Sequence, residues 1–368
     1  MLELDDSEAL ERTDRSGMLR LISSSPELLL EGLDYDWSIE PEAFEPLSRA
    51  VLVGYGGSAI SGDVLRDRFL RESGVDISVC RDLRLPGYVD EETLLVCASY
   101  SGNTGESLMM LEEAMEADLN IAALTSGGAM AKFCERFRIP LMRVRGGLPP
   151  RAALPLQLSA LAKVLSSFGL IADMSREICR AAEELREQVS RVRPEVSSGS
   201  NPAKNLALEL LDSIPAVYSL ERMSSVARRL KDQFNENSKI PARYDLVPEA
   251  CHNEIEGWTG DWSSSTSAYR FIGLIVRDNM ESPHESARMD LLRDQLELVG
   301  LKMHEIRAGG ETGLGRLLLP INLGDFASAY LALARGLDPT PITAIEGFKR
   351  IVEARTLEMD RLTGILKD

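Results

Sequence analysis

Short apolar runs recur along the chain, separated by longer stretches whose apolar positions fall at helical spacing. In the first half "RAVLVGYG", "DISVCRD", "TLLVCASY", "NIAALTS" and "IPLMRVRG" read as strands, with "GESLMMLEEAMEA" and "GAMAKFCERF" as helices between them. Alternating strand and helix of this kind predicts an α/β fold, a parallel sheet covered by helices on both faces. A second series follows, with "IPAVYSL", "ARYDLVPE", "RFIGLIVRD" and "LKMHEIRAG" as strands and "MDLLRDQLELVG" and "NLGDFASAYLALARGL" as helices. Residues 1–48 read as a helical lead-in, and the helical stretch from 151 closes at "RPEVSSGSNPAKN", a Pro, Ser and Gly cluster that reads as a linker. The expected division is therefore a lead-in over 1–48, a first domain over 49–195, a second over 201–350 and a C-terminal helix over 351–368.

At 368 residues the chain is long for one core and suits two domains at roughly 150 residues each. Its 44% hydrophobic and 27% charged residues contain no uninterrupted apolar run of the ~18 needed to cross a bilayer. The acidic start "MLELDDSEALERTD" has no basic segment followed by an apolar one, so a cytoplasmic location is expected. Five scattered cysteines argue against a disulfide framework and a thiolate zinc site. A formal charge of −17 disfavours nucleic acid and anionic membranes as partners, and directs attention to a small ligand held in a pocket.

Two loops invite such a ligand. "VGYGGSAISG" and "CASYSGNTGES" each leave an apolar strand and enter a helix, where glycines let backbone amides come close and hydroxyls add uncharged donors. Ser99, Ser101 and Thr104 follow an S-x-S-x-x-T spacing that aims three hydroxyls at one point as the loop turns into its helix. Gly, Ser, Asn and Thr are also ordinary turn and cap residues; it is the repetition at two strand ends that favours an anion site. The G-x-G-x-x-G order of dinucleotide folds and the Gly-Lys-Ser/Thr ending of a Walker loop are both missing.

"GYGGSAISGD" with "SYSGNTGES" resembles the sugar isomerase, or SIS, domain. Further along, "PPRAALP", "NPAKNLALEL", "QFNENSK" and "CHNEIEGW" resemble the bifunctional phosphoglucose/phosphomannose isomerases, with Tyr55 standing where that family usually has Met. The resemblance implies two SIS-type domains, each a flavodoxin-like, three-layer αβα sandwich. It further implies a site in which Gly56, Gly57, Ser58, Ser99, Ser101 and Thr104 bind the phosphosugar. By the same resemblance Glu236 transfers the proton, Arg151 stabilises the enediolate, and His252 with a C-terminal lysine opens the sugar ring. Lys349 in "AIEGFKR" is the candidate lysine and Lys367 the other. The family forms homodimers in which the active-site His reaches the neighbouring subunit's site, so the same is expected of His252.

Chemistry gives those residue types their sense. Aldose-ketose isomerisation opens a ring, takes a proton from the carbon beside the carbonyl and returns it to the next carbon. It calls for a carboxylate, a fixed positive charge and a group titrating near neutrality. Of three histidines, His304 lies within a predicted strand and His284 in a polar turn, whereas His252 follows a strand end. No His, Asp and Glu grouping has ligand spacing, so neither metal nor cofactor is expected. The expected function is cofactor-free interconversion of glucose 6-phosphate and mannose 6-phosphate with fructose 6-phosphate. A non-catalytic phosphosugar sensor and an isomerase of another sugar phosphate are the alternatives.

Overall fold

The computed structural model describes residues 3–40, 46–72, 74–260, 270–356 and 364. Three short helices open the chain: α1 (Ser7–Thr13), α2 (Met18–Ser23) and α3 (Ser25–Glu31). Acidic residues of the lead-in accept first-turn amides of α1 and α2. Asp6 accepts the Ala9 amide at 3.0 Å, and Asp14 accepts those of Met18 and Leu19 at 2.7 and 2.9 Å. Contacts divide the chain into two compact units, one of residues 25–179 with 342–368 and the other of residues 1–24 with 180–341. This division departs from the linear one expected. Met18, Leu19 and Ile22 of α2 are buried in the second unit, while Leu28 and Leu29 of α3 are buried in the first, so the lead-in is split between two cores.

The first unit is built on β1 (Trp37–Ile39), β2 (Arg49–Val53), β3 (Ile77–Cys80), β4 (Thr93–Ser99), β5 (Asn120–Thr125) and β6 (Leu141–Arg143), in the order β1-β6-β5-β4-β2-β3. The last five strands are parallel and follow the flavodoxin-like order. β1 is an added antiparallel edge that the helical reading of residues 1–48 did not include. Its three residues are too short a run to show a period. Helices α4 (Gly57–Phe69), α5 (Gly105–Glu116), α6 (Gly128–Phe137) and α7 (Leu154–Ser167) cover the sheet. Val51, Val53, Leu95 and Cys97 pack with α5 and α6, while α4 and α7 lie together on the opposite face. Burial pushes the Cys97 thiol up and that of Cys134 up to about 12, so both act as small packing groups.

From α8 (Ser175–Val192) and α9 (Pro202–Glu209) the chain enters the second sheet. Its strands are β7 (Ser213–Leu220), β8 (Arg243–Val247), β9 (Arg270–Arg277) and β10 (Lys302–Arg307), all parallel and ordered β10-β9-β7-β8. One face holds α10 (Ser224–Glu236) and α13 (Gly313–Ala334); the other holds α11 (Glu254–Gly257) and α12 (Pro283–Leu298). α13 is long and apolar enough to cross a membrane, yet 89% of its most apolar window is buried, which makes it the unit's core helix. α14 (Thr343–Thr356) follows.

Candidate active site

In the first unit the chain leaves β2 for the outer strand β3 and then crosses back to β4 on the other side of β2. The loops beyond the carboxyl ends of β2 and β4 therefore diverge, and this switch point is where open α/β sheets bind ligands. Both candidate loops lie there. Gly56 takes φ of 52°, the left-handed region that glycine enters without strain. Gly57 begins α4 where a Cβ would lie 2.8 Å from the Pro150 carbonyl oxygen and 3.1 Å from the Arg151 Cα. Lacking one, it lets α4 rest against the Pro150–Ala153 turn, which carries the buried Arg151.

The hydroxyls divide their work. Ser58 is buried, donates to Gln157 Oε1 at 2.8 Å and accepts the Tyr100 amide at 3.1 Å, so it ties the two loops to each other and to α7. A direct substrate contact by Ser58 requires exchanging the Gln157 bond. Ser99 is buried and donates to Thr104 Oγ1 at 3.0 Å. Thr104 is the N-cap residue of α5, but its side chain caps no amide of that helix. Ser101 is exposed and accepts the Asn103 amide at 3.3 Å. Together these place hydroxyl donors around the positive end of a twelve-residue helix, an arrangement suited to an anion.

Two supports of this site escaped sequence reasoning. Gln157, wholly buried, sits in the apolar run "LPLQLSALA" with nothing to distinguish it from a helix interior position. Tyr100 donates to the Arg145 carbonyl at 3.0 Å and accepts the Leu148 amide at 3.2 Å, which holds the approach to Arg151. The hydroxyl of Tyr55 donates to the Asp82 carbonyl, linking the loops after β2 and β3.

Glu236 and His252 both belong to the second unit. Glu236, half-buried, is the last residue of α10. The turn beyond it is pinned to α13: Asn237 Nδ2 donates to Ser328 Oγ at 3.0 Å, and Ser238 Oγ donates to the Ser328 carbonyl at 2.7 Å. Earlier on the same helix, Arg229 forms a buried two-pronged ion pair with Asp325, 2.9 Å on each arm. His252 ends the Glu249–His252 turn after β8 and is exposed.

The crossover separates these two groups. α10 connects parallel strands β7 and β8, so it runs back from the carboxyl edge of the sheet to the amino edge, about 20 Å for its thirteen residues. Glu236 thus lies toward the amino edge, and His252 at the carboxyl edge. Lys349 is exposed on α14, with no hydrogen-bond or ion-pair partner among the described residues; Lys367 lies outside them. Of the other histidines, His284 is exposed at the start of α12, and His304 on the edge strand β10 meets Glu209 at 3.1 Å. No group of three or more metal-ligating side chains occurs among the described residues.

Comparison with known proteins agrees with this architecture. Residues 199–352 match the model of the bacterial phospho-glucose isomerase C-terminal SIS domain. A bifunctional phosphoglucose/phosphomannose isomerase of Caldicellulosiruptor bescii is 34% identical over 83% of this chain and 89% of its own length. One from Aquifex aeolicus is 32% identical over 86% and 93%. The crystal structure of a glucose-6-phosphate isomerase like protein from Thermus thermophilus shares the fold, with a TM-score of 0.58 at 19% identity over 92% of this chain and 95% of that one. With glycine and hydroxyl loops at the first sheet's switch point and such identity over most of its length, this chain belongs to the bifunctional phosphoglucose/phosphomannose isomerase family.

Proposed function

We propose that this chain is an aldose-ketose isomerase interconverting glucose 6-phosphate and mannose 6-phosphate with fructose 6-phosphate. The observation that carries the reading is the trio Ser99, Ser101 and Thr104 at the N-terminus of α5, at a switch point, in a chain of this family. These hydroxyls and the first amides of α5 take the phosphate. His252 and Lys349 move a proton between the anomeric hydroxyl and the ring oxygen, which opens the sugar. Glu236 removes the proton from C2 and returns it to C1, and the O2 hydroxyl proton passes to O1, while Arg151, permanently charged and planar, faces the negative charge that develops on the enediolate. Glucose and mannose 6-phosphate differ only at C2, whose configuration is lost in that planar intermediate, so one set of groups serves both. No metal or organic cofactor takes part. The protein acts in the cytoplasm, as a homodimer whose His252 serves the partner's site.

The test is a coupled assay of purified protein with each hexose 6-phosphate, with and without chelator, reading fructose 6-phosphate. Product is expected from both sugars at rates the chelator leaves unchanged. Glu236→Gln should lower kcat by about 10²- to 10⁴-fold with little change in KM. Absence of product from either sugar would leave a phosphosugar-binding protein instead.

A further inference from the structure

His252 is exposed, but the segment that carries it is held from beneath. Two residues on, Glu254 turns its carboxylate inward, where its side chain is only 7% exposed. Its Oε1 accepts the Tyr218 hydroxyl at 2.6 Å and the Trp258 indole N–H at 3.1 Å, and its Oε2 accepts Arg243 Nη2 at 2.6 Å. The carboxyl of Asp245 lies beside it. Burial, followed by that neighbouring carboxyl, raises the Glu254 pKa from its ordinary value, while the three donors oppose the rise. Tyr218 lies on β7, Arg243 and Asp245 on β8, and Trp258 closes the short helix α11, so one carboxylate joins three elements. Trp258 also packs edge-on against Phe271 of β9, with ring centroids 5.1 Å apart. An exposed catalytic side chain needs such a base, because a mobile backbone would spread the imidazole over many positions.

We propose that Glu254 is a positioning residue for His252: it anchors the turn after β8 to the second sheet and so fixes where the imidazole is presented. This rests on the ring-opening role assigned to His252 above. The test is a double-mutant cycle in the full-length protein, using Glu254→Gln, His252→Ala and their combination, assayed on glucose 6-phosphate. Gln keeps the acceptor for Tyr218 and Trp258 but loses the charge that holds Arg243. Glu254→Gln should lower kcat by about 10- to 100-fold with KM nearly unchanged, and should cause no further loss once His252 is gone. Tyr218→Phe, which keeps the ring and removes one donor, should act in the same direction with a smaller loss, and both variants should keep the wild-type circular dichroism.

An unchanged kcat in Glu254→Gln beside an impaired His252→Ala would overturn the inference and leave the proposed function standing. An equal loss in the presence and absence of His252 would also overturn it, since Glu254 would then act elsewhere. Full activity in His252→Ala would remove the assigned role itself, and the inference with it.

Discussion

Ser99 gives its proton to Thr104 across 3.0 Å, which leaves the threonine's own hydroxyl hydrogen to be donated outside the loop. The S-x-S-x-x-T spacing thus encodes a relay: one buried hydroxyl orients a second at the helix start. Thr104→Val removes the outward donor and strands the buried Ser99 hydroxyl, a loss on the order of 1–3 kcal/mol. KM for the sugar phosphates should rise about tenfold or more while kcat changes far less; an unchanged KM would remove Thr104 from the phosphate site. At this scale the polar loop residues were legible from spacing, because few roles need glycines and hydroxyls at two strand ends. Gln157 and the inward side of Glu254 were not, since a polar residue in a helix declares its burial only through the partners it meets.

Among the elements, the central parallel strands were visible as apolar runs, as expected of strands buried on both faces, whereas the edge strands β8 and β10 mix charged and apolar residues and are only partly buried. The N-terminal helices show what pattern leaves out. Asp5, just before α1, accepts Lys204 Nζ at 2.9 Å and the Ser198 hydroxyl at 2.9 Å. Lys204 is wholly buried on α9, and its other oxygen partner is the Pro194 carbonyl at 2.9 Å. Hydrogen bonding to Lys204 holds the Asp5 carboxyl below its ordinary value of 3.8, partly opposed by burial. The folded-state pKa is depressed, so the pair's contribution is fully present above pH 3.8 and is lost as the pH falls through the lowered value. Asp5→Asn should therefore lower the melting temperature at pH 7 and shrink the difference from wild type below pH 3.8. The cost should stay under the about 3–5 kcal/mol of breaking a fully buried pair, because Asp5 is partly hydrated. Equal melting temperatures at neutral pH would show that Lys204 does not depend on Asp5.

On the scale of the whole molecule, the placement of Glu236 and His252 toward opposite edges of one sheet bears on the proposed dimer. On the proposed reading, two groups so placed meet at one substrate as contributions from different copies. Mixing inactive Glu236→Gln and His252→Ala proteins under subunit exchange tests this. In a mixed dimer with His252 supplied in trans, one site carries both defects and the other carries neither, so activity should recover to about a quarter of wild type. If each site takes both residues from a single chain, every site in the mixture keeps one defect and no activity returns.

The sequence by itself determined the two sheets, the position of the hydroxyl loops and the family, because apolar strand runs and glycine- and hydroxyl-rich turns repeated at two strand ends are patterns carried by neighbouring residues. Only the tertiary structure decided that residues 1–24 pack with the second unit and 25–31 with the first, that an antiparallel strand edges the first sheet, and that Ser58 spends its proton on Gln157. It also decided that the carboxylate of Glu254 turns away from His252 to grip Tyr218, Arg243 and Trp258. Each of these depends on which side chains meet across long stretches of chain, and hydrophobic periodicity records that a face is covered but not by what.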